Sequence, residues 1–300
     1  MRAFWLRLLS LFLVIDASCG RDTTGIRVVG AGFGRTGTTS LDFALQEFGY
    51  RVYHGSTFYE RVSDWKLFEE ALARNGTRGE QSALWDKLVA DGFDAILDDP
   101  ASVLWRSQLR HSPAAKVILS VRDPSAWAES MLMVRNDNFA PVHGWWKRRP
   151  FQWFSPFSSL RSVMKIIHHD SCGQFPCARE GNVHQINKSI SLFQARSAAV
   201  QETVPSEQLL IWNPSEGWEP LCKFLQVERC PSDKPFPVTN RREQWRALAE
   251  ARGKAGTSPV ATAFEYLWLP VCLLVLVFVR FRILGPLYRR ALSSFTKKNS

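Results

Sequence analysis

The chain has 300 residues, 45% of them hydrophobic and 22% charged, enough for one α/β domain with a full core plus appendages. Its formal net charge of +10 makes no case for nucleic acid, because Arg280, Arg282, Arg289, Arg290, Lys297 and Lys298, with no acidic residue among them, supply most of the excess. No internal repeat and no long low-complexity tract is present, which excludes repeat arrays.

At the N-terminus, Met1 to Arg7 is basic, Leu8 to Ile15 is apolar and Ala17-Ser18-Cys19 is small. This reads as a secretory signal over residues 1–19, or alternatively as an apolar N-terminal helix. A short buried strand is expected at Ile26 to Val29. A turn follows, Gly30-Ala31-Gly32-Phe33-Gly34-Arg35-Thr36-Gly37-Thr38-Thr39, and then a helix opening at Ser40-Leu41-Asp42. Such a turn is a phosphate cradle: glycines let the backbone curl, and amides point inward at the positive end of a helix. Two familiar templates fail here. The Walker A pattern needs a lysine after the last glycine, and Gly37 is followed by Thr38. The dinucleotide pattern Gly32-Phe33-Gly34-Arg35-Thr36-Gly37 needs an acidic residue at the end of the second strand, whereas Tyr50 to Tyr53 runs into His54. What remains is a cation just before the last glycine, Arg35-Thr36-Gly37-Thr38-Thr39.

Further along, Glu80 to Ala90 places Leu84, Trp85, Leu88 and Val89 on one helical face. A third strand, Ala95 to Leu97, ends at Asp98-Asp99-Pro100. The continuous apolar run Lys116 to Val121 fits a central parallel strand. It ends in Arg122-Asp123-Pro124, with Ser130 eight positions after the arginine. A last strand is expected at Leu209 to Trp212, followed by a helix burying Leu221, Phe224 and Leu225. Strands alternating with helices imply a doubly wound parallel sheet. Ligands of such sheets sit beyond the carboxyl ends of the strands, where Gly32, His54, Asp98 and Arg122 fall. Residues 136–171 carry Phe139, Trp145, Trp146, Phe151, Trp153, Phe154 and Phe157 among basic side chains. That segment reads as a lid or acceptor-binding insertion, or as helices covering the sheet.

Three stretches resemble the PAPS-dependent sulfotransferases: Arg35 to Thr39, Arg122 with Ser130, and Trp218-Glu219-Pro220-Leu221-Cys222-Lys223-Phe224-Leu225. The resemblance covers roughly residues 26–242, and the loop is similar to the branch with Gly-x-Gly-Arg-Thr-Gly-Thr found in microbial eukaryotes. It implies an α/β fold of the P-loop, three-layer type. It also implies PAPS (3′-phosphoadenosine-5′-phosphosulfate) as donor, in-line transfer of a sulfuryl group to a hydroxyl or amine acceptor, and no metal. On this resemblance Gly34, Arg35, Thr36, Gly37, Thr38, Thr39 and Ser40 hold the 5′-phosphate, while Arg122 and Ser130 hold the 3′-phosphate. Arg35 is the cation at the transferring group, acting as a fixed charge because arginine does not readily give up its proton. A hydroxyl acceptor also needs a general base, for which Asp98 and His54 are rivals. The long basic, glycine-rich C-terminal motif of the cytosolic members is not recognisable, so the adenine site is unassigned. A P-loop kinase or NTPase is the competing enzyme reading, weakened by the missing lysine. A nucleotide-binding membrane protein without catalysis is the competing reading of another class. The acceptor stays open among carbohydrate, lipid, peptide and small alcohol.

Cys172, Cys177, Cys222 and Cys230 form two local pairs that an oxidising compartment would close as Cys172–Cys177 and Cys222–Cys230; the alternative, zinc, lacks its usual ligand spacing. Asn75-Gly76-Thr77 and Asn187-Lys188-Ser189 are glycosylation sequons. Near the C-terminus, Tyr266 to Val279 is uncharged and strongly apolar and precedes the basic tail, which predicts a transmembrane helix with a positive-inside flank. The expected organisation is a signal over 1–19, a catalytic domain over 20–258, a membrane segment over 259–283 and a cytoplasmic tail over 284–300. The protein is thereby expected in the secretory pathway, with its domain in the Golgi lumen.

Overall fold

The computed structural model describes residues 25–73, 78–137, 157–175, 177 and 181–237. The chain divides into two compact units, Met1–Arg241 and Arg242–Ser300, and every described residue belongs to the first. Five strands, β1 (Val28–Gly30), β2 (Val52–Tyr53), β3 (Ala95–Ile96), β4 (Lys116–Ser120) and β5 (Leu209–Trp212), form one sheet in the order β2-β3-β1-β4-β5. All neighbours are parallel, with Val28 opposite both Ala95 and Lys116, and Ser120 opposite Trp212. All five lie where the apolar runs place them.

Between the strands run α1 (Thr38–Glu47), α2 (Gly55–Glu60), α3 (Asp64–Leu72), α4 (Arg78–Ala90), α5 (Trp105–His111), α6 (Pro124–Asp137), α7 (Phe157–Cys172), α8 (Val183–Thr203) and α9 (Glu219–Leu225). Successive strand residues point to opposite faces of the sheet, and both faces are covered. Val29, Tyr53, Ile96, Val117 and Leu119 pack with Phe68, Trp85, Leu88, Trp105, Val163 and Val200 from α3, α4, α5, α7 and α8. Val28, Val52, Leu97, Ile118 and Trp212 pack with Leu41, Ala44 and Leu45 of α1 and Leu221 of α9. This is a three-layer sandwich, the arrangement that lets parallel strands be apolar throughout. The chain leaves β1 for α1 on one face and leaves β4 for the helices of the other. The sheet's switch point, where a crevice opens for ligands, therefore lies between β1 and β4.

The cysteine pairs close as their spacing suggests, Cys172–Cys177 at the end of α7 and Cys222–Cys230 between α9 and the stretch that follows it. One expectation is corrected. Among the described residues no helix is long and apolar enough to cross a membrane, and the segment 259–283 lies outside them. The described residues form an α/β fold with no added span, against the expected C-terminal membrane helix and the single-pass placement built on it. The physical weakness of that expectation is that Tyr266 to Val279 is only fourteen uncharged residues, and reaching the length of about 20 needed to cross a hydrocarbon core means extending back to Val260 and including Glu265. Residues 1–19, 284–300, most of the aromatic insertion (138–156) and Asn75 also lie outside the described residues. Asn187 sits within helix α8, not in a loop of the kind sequons usually occupy.

Candidate active site

The turn between β1 and α1 is pinned from within. Phe33 points down against Trp127 of α6, with ring centroids 4.9 Å apart, and against Phe193 of α8. The Trp127 indole N–H donates to the Gly34 carbonyl at 2.9 Å. Thr36 turns its hydroxyl inward, donating to the Phe33 carbonyl at 2.6 Å and pairing with Ser120 Oγ of β4 at 2.6 Å. The Thr36 hydroxyl thus braces the loop, its proton committed to the Phe33 carbonyl. Gly37 caps α1 with φ 95°, a conformation that excludes most side chains. A Cβ there would also lie 2.2 Å from Pro214 Cγ. No side chain caps α1, and its first turn carries no acidic residue. That helix end, with its N–H donors and positive dipole, is suited to an anion. Thr38 and Ser40 are buried and Thr39 is half-buried at this end.

Arg35 stands at the rim of the turn with φ 70°. Its Nε donates to Ser130 Oγ of α6 at 3.3 Å, and Ser130 is fully buried. Arg122, exposed at the end of β4, donates from Nη1 to the Arg35 carbonyl at 3.5 Å. The three residues singled out in sequence therefore meet beyond the ends of β1 and β4. Burial lowers the Arg35 pKa to about 10; Asp98 opposes the shift, and the like charges of Arg122 and Arg135 add to it. At neutral pH Arg35 remains a full cation in a partly dry, positively charged corner.

Across the turn lie His54 and Asp98. His54 caps α2, and its Nδ1 accepts from the Ser56 N–H at 3.2 Å. The other ring nitrogen then carries the proton of the neutral imidazole, and Nε2 lies 3.2 Å from Asp98 Oδ2 and 3.4 Å from Thr38 Oγ1. His54 and Asp98, treated in sequence as rivals, form one pair. Asp98 adopts φ 67°, uncommon for a residue other than glycine. It crowds the turn so closely that a Cβ on Gly34 would lie 2.8 Å from its Oδ1.

Comparison with known proteins places this geometry. Residues 27–245 match the family described as Sulfotransferase domain. The chain belongs to the sulfotransferase domain family. It is also 29% identical over 221 residues to "Ava biosynthesis cluster protein M" of Aspergillus versicolor, an alignment covering 71% of this chain and 80% of that protein. In this sulfotransferase-family chain several site neighbours escape sequence reasoning. Arg135 of α6 is 6% exposed and bonds Asp99 Oδ2 through Nη2 at 2.5 Å. Arg196 of α8 pairs with Asp170 of α7 and stacks over the Phe33 ring at 3.8 Å. Burial raises the Asp170 carboxyl above the ordinary carboxylate range, and Arg196 acts against that shift. A lone arginine in a helix carries no positional signal.

Proposed function

We propose that the chain transfers a sulfuryl group from PAPS to a hydroxyl acceptor. Membership in the family supports sulfotransferase chemistry. The observation that carries the finer reading is the convergence of Arg35, Ser130 and Arg122 beside an uncapped helix end, opposite the His54–Asp98 pair. The donor supplies an activated sulfuryl group whose transfer spreads negative charge over oxygen atoms, so positioning and fixed positive charge do most of the work. The N-terminus of α1, with Thr38, Thr39 and Ser40, would hold the 5′-phosphate. Ser130 and Arg122 would hold the 3′-phosphate, where a planar guanidinium can make paired contacts. Arg35, preorganised by Ser130, would place its charge at the transferring group. Asp98 would take the proton of the acceptor hydroxyl as that oxygen bonds to sulfur, while the bond from sulfur to the donor's 5′-phosphate oxygen breaks and adenosine 3′,5′-bisphosphate leaves. His54 would present its Nε2 proton to Asp98 Oδ2 and so keep Oδ1 turned toward the cleft.

The test is a labelled-donor assay against cell-derived glycan, lipid and peptide pools, with ATP as the alternative donor. Label transfer from PAPS and none from ATP is the expected result; transfer from ATP alone would favour a kinase. In the same assay Asp98→Asn should bind adenosine 3′,5′-bisphosphate normally and lose about 10²–10⁴ in rate. An active Asp98→Asn beside an inactive His54→Ala would give the base role to His54.

A further inference from the structure

The fold treats the two carboxylates after β3 differently. Asp98 faces the turn, with 17% of its side chain exposed, whereas Asp99 is buried and held on both oxygens. Its Oδ2 accepts from Arg135 Nη2 at 2.5 Å, and its Oδ1 accepts from Ser102 Oγ at 2.6 Å. Ser102, in the 3₁₀ turn Ala101–Leu104, in turn accepts from Arg196 Nη1 at 3.4 Å. None of these contacts is needed to bind a phosphate. The Arg135–Asp99 pair carries a desolvation penalty of several kcal/mol per ion, and buried pairs of this kind are often no better for stability than apolar side chains. What they do supply is fixed geometry, and the neighbouring residue has need of it. Asp98 sits at positive φ, a conformation that persists only where its surroundings over-determine it. Moreover, α6 carries both Ser130, which holds Arg35, and Arg135, which holds Asp99. One helix sets the cation on one side of the cleft and the carboxylate on the other.

We propose that Asp99, gripped by Arg135 and Ser102, is a positioning residue that holds Asp98 Oδ2 against His54 Nε2. The functional value of this clamp rests on reading Asp98 as the base, but its geometry can be tested separately. The probe is the His54 Nε2 proton, observed by NMR in full-length protein with ¹⁵N-labelled histidine and assigned with His54→Gln. In the parent chain that proton should be visible downfield and slow to exchange, because Asp98 accepts it; Asp98→Asn should weaken or abolish it. Arg135→Met and Asp99→Asn should abolish it too, although Asp98 is intact in both, and Arg135→Lys should restore it in part. A general loss of structure would not discriminate Lys from Met in this way. Should Arg135→Met fail to fold, the near-isosteric Asp99→Asn carries the test. An unchanged signal in folded Arg135→Met or Asp99→Asn would overturn the proposal, as would its absence from the parent. If the signal behaves as expected but Asp98→Asn keeps its turnover, the base assignment falls and the clamp stands. If Asp98→Asn is inactive while the signal ignores Asp99, only the clamp falls.

Discussion

Arg35 shows how one side chain can be costly in the resting protein and useful in the reaction. Its folded-state pKa of about 10 lies below that of a free guanidinium, chiefly because it is buried. The folded state therefore holds this proton less firmly than the unfolded state. The penalty is present in full below about pH 10 and is relieved only as pH rises from there toward the ordinary guanidinium range. At neutral pH the ligand-free protein bears it, and an anion beside Arg35 would offset it. Arg35→Met should leave the ligand-free melting temperature unchanged or raised while turnover falls by about 10²-fold or more. A lower melting temperature in calorimetry would mean that the contacts of Arg35 outweigh its burial. Arg122 differs, since it is exposed at the end of β4, where water competes for the same contacts. Arg122→Ala should weaken adenosine 3′,5′-bisphosphate by about 1–2 kcal/mol, roughly 5–30-fold in Kd. An unchanged Kd by titration calorimetry would remove the 3′-phosphate role.

At the scale of elements, the β1–α1 turn is a backbone structure held by long-range partners. Trp127 from α6 takes the Gly34 carbonyl, Ser120 from β4 takes the Thr36 hydroxyl, and Pro214 closes over Gly37. Gly37→Ala combines a positive φ with a Cβ 2.2 Å from Pro214 Cγ. It should destabilise by about 1–3 kcal/mol and weaken nucleotide binding together with stability. Denaturant unfolding with an unchanged midpoint would show that the turn can shift away from Pro214 without penalty. The turn's chemistry was legible in sequence because glycines, hydroxyls and a cation are contiguous there. Its bracing was not, because the braces come from residues 84 to 177 positions away in the chain.

At the scale of the whole molecule, the two disulfides secure segments that flank the sheet. Cys172–Cys177 ends α7, and Cys222–Cys230 holds the stretch after α9, whose Phe236 packs on Trp212 and Trp218. They span only 5 and 8 positions, so each should contribute about 2 kcal/mol by restricting the unfolded chain. Reduction of both should lower the melting temperature by about 5–15 °C. A melt insensitive to reductant would show that the apolar packing of these segments suffices.

The sequence by itself determined the strands, the parallel sheet and its helix layers. These depend on local signals: unbroken apolar runs between turn residues become parallel strands, and ligands gather where such strands end. Apolar character was a poorer guide at the C-terminus, where a stretch long enough to span must take in Glu265. Tertiary structure decided what each polar side chain does. It turned the Thr36 hydroxyl away from the cleft, joined His54 to Asp98 at 3.2 Å, and brought Arg135 onto Asp99. Such pairings depend on which helix face meets which loop once the core has closed. That choice is made by packing among residues far apart in the chain and leaves no periodicity for a sequence to display.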